Sequence, residues 1–302
     1  MKRLFVFGCS YTSYSWPTYA TFLNIDYPIF ENWGLSGVGN RAIAERVAEC
    51  HLRNNFTKDD VIIVQWSTHL RNDWWHQESM PERTVGWKTY GSIFNYHNKK
   101  LYDDKWIRTF FFEPAYLMHT FNNIALTQEF LNGLGVTWYM TSIGDVRNMG
   151  SDLRSESAYG EKTDLIENVP TDEKTAWKVI PDLKIYDKLW TDHADRWLMP
   201  FEEFCQSTAD LTLKFADGKG KWFADLHPSP MQALLWVEQE LKDKLMLSNN
   251  ISTIGREVVD EVDKIYQKMK FDKQAFEFSL GLRNGFPPSA KMIDWPGRPY
   301  GF

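Results

Sequence analysis

Residues 4–13, Leu4-Phe5-Val6-Phe7-Gly8-Cys9-Ser10-Tyr11-Thr12-Ser13, decide how the fold is read. Four consecutive apolar residues ended by glycine predict a strand buried on both faces, as in a parallel sheet. The polar turn that follows leads past Trp16-Pro17 into the amphipathic run Tyr19-Ala20-Thr21-Phe22-Leu23, with the proline placed as in a first helical turn. Outward from there, Pro28 to Trp33 is a weaker second strand. The glycine-rich loop Gly34-Leu35-Ser36-Gly37-Val38-Gly39-Asn40 opens a helix whose Ile43, Val47 and Cys50 share one face. Asp60-Val61-Ile62-Ile63-Val64-Gln65-Trp66-Ser67 is the clearest strand in the chain and is expected at the centre of the sheet. A helix around Leu117–Leu131 and a strand Val136-Thr137-Trp138-Tyr139-Met140 continue the alternation. Strands alternating with helices predict an α/β fold with a parallel sheet covered on both faces.

The chain has 302 residues, of which 43% are hydrophobic and 25% charged, so it can bury a substantial core and does not have the composition of a disordered chain or a coiled-coil rod. Its formal net charge of -6 gives no long-range attraction to phosphate backbones or anionic lipid, which argues against nucleic acid and membrane as partners. No apolar run approaches the ~20 residues that span a bilayer, and Met1-Lys2-Arg3 is followed by too short an apolar stretch for a signal peptide. A cytoplasmic location is the expectation. The 3 cysteines, Cys9, Cys50 and Cys205, are odd in number and widely spaced, which predicts neither a disulfide framework nor a zinc site. Asn55-Phe56-Thr57 and Asn250-Ile251-Ser252 match glycosylation sequons, which carry no meaning without secretion.

The organisation expected from these patterns is one domain over 1–248, with an aromatic insertion at about 70–113 and an irregular stretch at about 144–200. A C-terminal helix and an extended tail follow over 249–302. Order returns before that boundary in a helix at Met231–Lys244. Beyond it, Ile254, Val258, Val262, Ile265 and Met269 form one stripe on a helix. The tail from Asp272 onward, with its prolines, glycines and scattered aromatics, is expected to be held by a partner chain or by self-association.

In an open α/β sheet ligands sit at the carboxyl ends of the strands. The loops placed there carry Ser10, Gly37 and Ser67-Thr68-His69, and Asp225-Leu226-His227-Pro228 precedes the last sheet-covering helix. A serine at a strand-to-helix turn, a histidine, an acid and N–H donors together make up the requirements of acyl transfer.

Three blocks of this set resemble the SGNH (GDSL-like) hydrolases. They are Phe7-Gly8-Cys9-Ser10-Tyr11-Thr12, Asn32-Trp33-Gly34-Leu35-Ser36-Gly37 and Asp225-Leu226-His227-Pro228, in the order and at the distances of the family, over roughly residues 3–245. The resemblance implies a three-layer α/β/α fold with a flavodoxin-like parallel sheet, and hydrolysis of esters of lipids, acylated sugars or small acyl groups; the expectation is an O-acylated carbohydrate or another small ester, cleaved without a cofactor. Carried over by position, Ser10 is the nucleophile, His227 the base and Asp225 its orienting acid. The backbone N–H groups of Ser10 and Gly37 are oxyanion donors. The chain departs from the family in having Cys9 where aspartate is usual, and Asp225 two rather than three residues before the histidine. It also lacks the block-three asparagine that supplies a third oxyanion donor; Asn40 and His69 are the candidates for that role, and Asn72-Asp73 lies farther past the strand.

Other readings of the same residues stand beside this one. Ser10 suits a helix cap, and His69 suits a satisfied structural histidine. The Gly34/Gly37/Gly39 loop lacks the Lys-Ser/Thr of a phosphate-binding P-loop. Aromatics make up 16% of the chain, with 14 Trp, and the insertion concentrates them in a way that suits a sugar or acyl ligand, a protein interface or a small folded lid. The second class of function is therefore a fold of this type kept as a structural or binding protein, for instance a virion decoration or tail component.

Overall fold

The computed structural model describes residues 2–76, 86–88, 92–93, 102–146, 183–216 and 219–280. Its central sheet is parallel, with strands β1 (Arg3–Phe7), β2 (Ile29–Asn32), β3 (Val61–Trp66) and β6 (Thr137–Ser142) in the order β2-β1-β3-β6. Two small antiparallel hairpins stand apart: β4 (Trp74–His76) with β5 (Gly86–Lys88), and β7 (Lys214–Ala216) with β8 (Trp222–Ala224). β3 is buried along its whole length, between β1 and β6, as its apolar run Val61–Val64 requires.

Helices cover the sheet in two layers. On one side α2 (Asn40–Asn54), α4 (Glu113–Leu134) and α5 (Lys184–Thr191) pack together. The other layer combines α1 (Tyr19–Leu23), α6 (Phe201–Ser207), α7 (Pro230–Glu240) and α9 (Asn250–Met269). The short helices α3 (Asp104–Phe110), α8 (Lys242–Leu245) and α10 (Lys273–Ser279) complete the described chain. This is the three-layer α/β/α architecture that the alternation predicts. No described helix is long and apolar enough to cross a membrane.

Local chemistry sets the helix starts that matter for the site. Asp73, far away in sequence, accepts the N–H groups of Gly39 at 2.7 Å and Ala42 at 3.0 Å and so caps α2. Ser229 and Gln232 form a reciprocal capping box on α7 with Pro230 in its first turn, which fixes the residues just before it. Part of the aromatic insertion buries its own small cluster of Leu70, Ile93, Tyr102, Ile107 and Phe111. The expected irregular stretch contains α5 within its described part, and residues 147–182 lie outside the described residues.

The C-terminal segment differs in detail from its sequence pattern. On α9 the buried face is Ile251, Gly255, Val258, Val259 and Val262, whereas Ile254 is exposed. The reason is Gly255. A Cβ there would stand 2.7 Å from a Leu234 methyl, so α7 and α9 meet at the glycine and the helix turns Ile254 outward. Past α9, the first residues of the expected tail are not extended. Asp272 caps α10 by accepting from Ala275 N–H at 3.0 Å, and Phe276 and Leu280 bury with Trp16, Leu213, Phe215 and Val262. Residues 281–302 lie outside the described residues.

Candidate active site

Ser10 occupies the turn that leaves β1. The Cys9 carbonyl accepts from the N–H groups of Thr12 and Ser13 at 2.9 and 3.0 Å, which closes the turn around the serine. From beneath, Gln65 on the central strand accepts the Cys9 N–H at 3.0 Å, while its own amide donates to Trp66 O. Gly8 is required for this approach. A Cβ on it would lie 2.1 Å from the Thr12 hydroxyl and 2.6 Å from Gln65 Oε1, so any side chain would push the turn off the strand. The end of β2 is tied to the same turn, with Asn32 donating to Thr12 O at 3.0 Å and accepting from Gly34 N–H at 2.8 Å.

His227 is delivered by the loop between β8 and α7. Two aromatic side chains of the Ser10 loop bind that loop by its backbone: Tyr11 donates its hydroxyl proton to Leu226 O and Trp16 its indole N–H to Pro228 O, each at 2.8 Å. The Tyr14 ring stacks on the imidazole with centroids 3.7 Å apart. Held in this way, His227 Nε2 lies 2.9 Å from Ser10 Oγ, and its Nδ1 lies 2.7 Å from Asp225 Oδ1. The same carboxylate oxygen accepts the His227 backbone N–H at 2.8 Å, and the hairpin anchors Asp225 through its own N–H to Leu213 O at 2.9 Å. Ser10, His227 and Asp225 are thus brought into one hydrogen-bonded chain.

The second oxygen of Asp225 has a partner outside the three blocks. Lys273, on α10, places its Nζ 2.5 Å from Oδ2 and 3.2 Å from the Tyr14 hydroxyl. Burial pushes the Asp225 carboxyl up, but the hydrogen bonds from His227 and Lys273 outweigh it and hold the group at about 2. Burial likewise opposes the charge on Lys273, and Asp225 overcomes it, raising the ammonium above its ordinary value. Tyr14 is pushed up to about 12 by burial and by the facing Asp225 charge, so it stays a neutral phenol.

A carboxyl held below its unfolded value, about 4, contributes stability that is complete above that value. The contribution is lost as pH falls from there toward the folded value of about 2. Thermal melts of the wild type and Asp225→Asn are therefore expected to keep a constant gap at and above about pH 5 and to converge between about pH 4 and 2. Convergence already near neutral pH would contradict the assignment of this carboxylate as buried and doubly bonded.

The remaining residues singled out in the sequence have other engagements. Asn40 uses its amide to hold the end of β3: Nδ2 donates to Ser67 O at 3.0 Å and Thr120 Oγ1 at 3.1 Å, and Oδ1 accepts the Ser67 N–H at 2.7 Å. That commitment leaves its side-chain amide no N–H for an oxyanion. His69 is buried, with Nε2 3.0 Å from Glu113 Oε1 in the first turn of α4 and Nδ1 without a hydrogen-bond partner. Asn72 turns to the Tyr116 hydroxyl, and Asp73 is the cap of α2 already described. Gly37 has φ +87°, a backbone conformation that favours glycine. The 67–73 segment is laced to its loop by Arg71, which donates to Val38 O at 2.9 Å. Cys9 is buried beneath the turn, its Sγ near Gln65 Oε1 at 3.3 Å.

Fold and site together define an α/β/α protein with a Ser–His–Asp chain at the carboxyl ends of its parallel strands. No family model, curated protein or solved structure matches this chain. Among the described residues, no group of three or more His, Cys, Asp or Glu side chains is placed to hold a metal ion.

Proposed function

We propose that the chain is a serine hydrolase of SGNH type that cleaves small esters, with O-acylated carbohydrate as the substrate class. The observation that carries this reading is the 2.9 Å approach of His227 Nε2 to Ser10 Oγ, with Asp225 on the opposite ring nitrogen. In the mechanism, Nδ1–H donates to Asp225, which leaves the Nε2 lone pair to take the Ser10 proton as Oγ attacks the ester carbonyl. The SGNH resemblance assigns the oxyanion to the N–H groups of Ser10 and Gly37. As the C–O bond breaks, His227 returns the proton to the leaving alcohol, and an acyl-Ser10 ester remains. Water, deprotonated by the same nitrogen, releases the acid.

The setting of Ser10 favours a small acyl group. Ser10 is 4% exposed and lies in a tight recess that it shares with Tyr11, Tyr14, Trp16, Phe201 and His227. A hydroxyl so closely walled leaves little room beside it, so a short acyl group is the expected substrate and a long acyl chain is not. Purified protein is expected to react with a fluorophosphonate probe, with peptide mass spectrometry placing the adduct on Ser10. p-Nitrophenyl acetate is expected to be cleaved in preference to the octanoate.

A second reading rests on the oxyanion side, where Asn40 is committed to Ser67 and Thr120. Loss of one oxyanion donor typically costs ~10²–10³ in turnover. Folded protein that takes no label would favour a hydrolase fold retained as a structural or binding module, the virion decoration or tail component being its specific form.

A further inference from the structure

We propose that Lys273 is a positioning residue of this site, so that the working chain is Lys273–Asp225–His227–Ser10 and α10 belongs to the catalytic apparatus. The inference rests on the reading of Ser10 and His227 given above. Asp225 and His227 are two residues apart on one short loop, and both of their mutual hydrogen bonds use a single oxygen, Oδ1. Those two bonds leave Oδ2 without a partner from the loop itself. Lys273 Nζ supplies one, 2.5 Å from Oδ2, with the Tyr14 hydroxyl 3.5 Å from the same oxygen. Charge points the same way. The Asp225 side chain is 5% exposed, and a carboxylate at that depth requires a cation or several donors to remain ionised beside a neutral imidazole.

The lysine is itself held in place. Its Nζ lies 5.8 Å and 5.9 Å from the ring centroids of Tyr14 and Trp16. Phe276, one turn along α10, packs on Trp16 at 5.9 Å, and the Trp16 indole N–H holds Pro228 O beside the histidine. One indole therefore registers the helix that carries Lys273 against the loop that carries His227. Among the described residues, the ionisable groups facing this cluster include Tyr14, Tyr11 and Cys9 from the Ser10 loop, Glu202 and Cys205 of α6 and Arg71 acting on Tyr11, and Glu277 of α10, 3.5 Å from Nζ. Glu277 is the one competitor for the ammonium among them, and it lies farther away than Asp225.

Lys273→Met keeps the aliphatic stem and removes the charge, and Lys273→Arg keeps the charge. At neutral pH, fluorophosphonate labelling of Lys273→Met is expected to slow by about tenfold to a hundredfold, by analogy with the loss when an outer partner behind a metal-bound histidine is removed. For p-nitrophenyl acetate the loss is expected in kcat, with KM unchanged. Without the cation an imidazolium beside Asp225 is easier to form, so the acid limb of the rate profile is expected to move to higher pH by about half a unit or more. Lys273→Arg is expected to restore rate and limb together. In the Ser10→Ala background, where no chemistry is needed, the NMR titration midpoint of the His227 ring is expected to rise on Lys273→Met.

If the wild type labels but Lys273→Met matches it in rate, limb and ring titration, the inference is overturned and the lysine only docks a helix. If the wild type fails to label while the ring midpoint still moves, the hydrolase reading falls and the coupling of Lys273 to His227 stands. Should Lys273→Met fail to fold, Lys273→Gln carries the same comparison.

Discussion

Ser10→Ala and His227→Ala are each expected to lower kcat for p-nitrophenyl acetate by about 10⁴–10⁶-fold, and the double variant is expected to lose no more than either single one. The expectation of non-additivity follows from the geometry. Ser10 Oγ and His227 Nε2 share one proton across 2.9 Å, so either deletion removes the same event. A structural role for the pair would behave differently. Beyond His227, among the described residues, the Ser10 hydroxyl has only a loose approach to Cys9 Sγ at 3.9 Å, so its removal leaves no other strong bond unmade. Melting temperatures of Ser10→Ala are therefore expected to stay within about 2–4 °C of the wild type, the size of shift that ~1 kcal/mol produces in a chain of this length. A drop smaller than tenfold in either single variant, with the fold intact, would remove these residues from the chemistry.

The strands and the principal helices were legible because their signals are local. Val61–Trp66 is buried on both faces, and its sequence has no polar residue before Gln65 to spoil the run. Ser10 and His227 were legible for a related reason. Each stands at the end of a strand or the start of a helix, where the pattern changes abruptly, and Ser229-Pro230 marks that start independently. The hairpin of β7 and β8 was not legible, since strands of three residues are too short to show period-two alternation.

Asn40 shows a different limit. Its position at the opening of α2 was readable, but Ser67 and Thr120, which take up its amide, come from two distant elements. Lys273 left no signal at all. It stands in a segment whose composition suggests a tail, and what places it in the site is the packing of Phe276 against Trp16, Phe215 and Tyr266. Tertiary contact decides such residues, and spacing along the chain carries no trace of it.

That packing makes Phe276→Ala the change expected to disrupt α10 most. The side chain is fully buried, and truncating a phenylalanine in such a place typically costs about 3–5 kcal/mol, through lost transfer energy and the cavity left behind. How the cost is met depends on where α10 sits. Among the described residues, the principal core includes none beyond Val259, whereas Phe276 and Leu280 belong to a separate cluster on Trp16, Leu213, Phe215 and Val262. The cheapest response is therefore local: α10 lifts away while the sheet and its two helical layers stay folded. Hydrogen exchange is expected to show loss of protection in α10 and around Trp16, with the amides of β1 and β3 unchanged. Fluorophosphonate labelling is expected to slow as in Lys273→Met, because undocking withdraws the ammonium from Asp225. A chain ended at Phe271 should reproduce both effects. If exchange rises in β3 to the same extent as in α10, the two clusters unfold as one unit, and the C-terminal helix is part of the core on which the sheet itself depends.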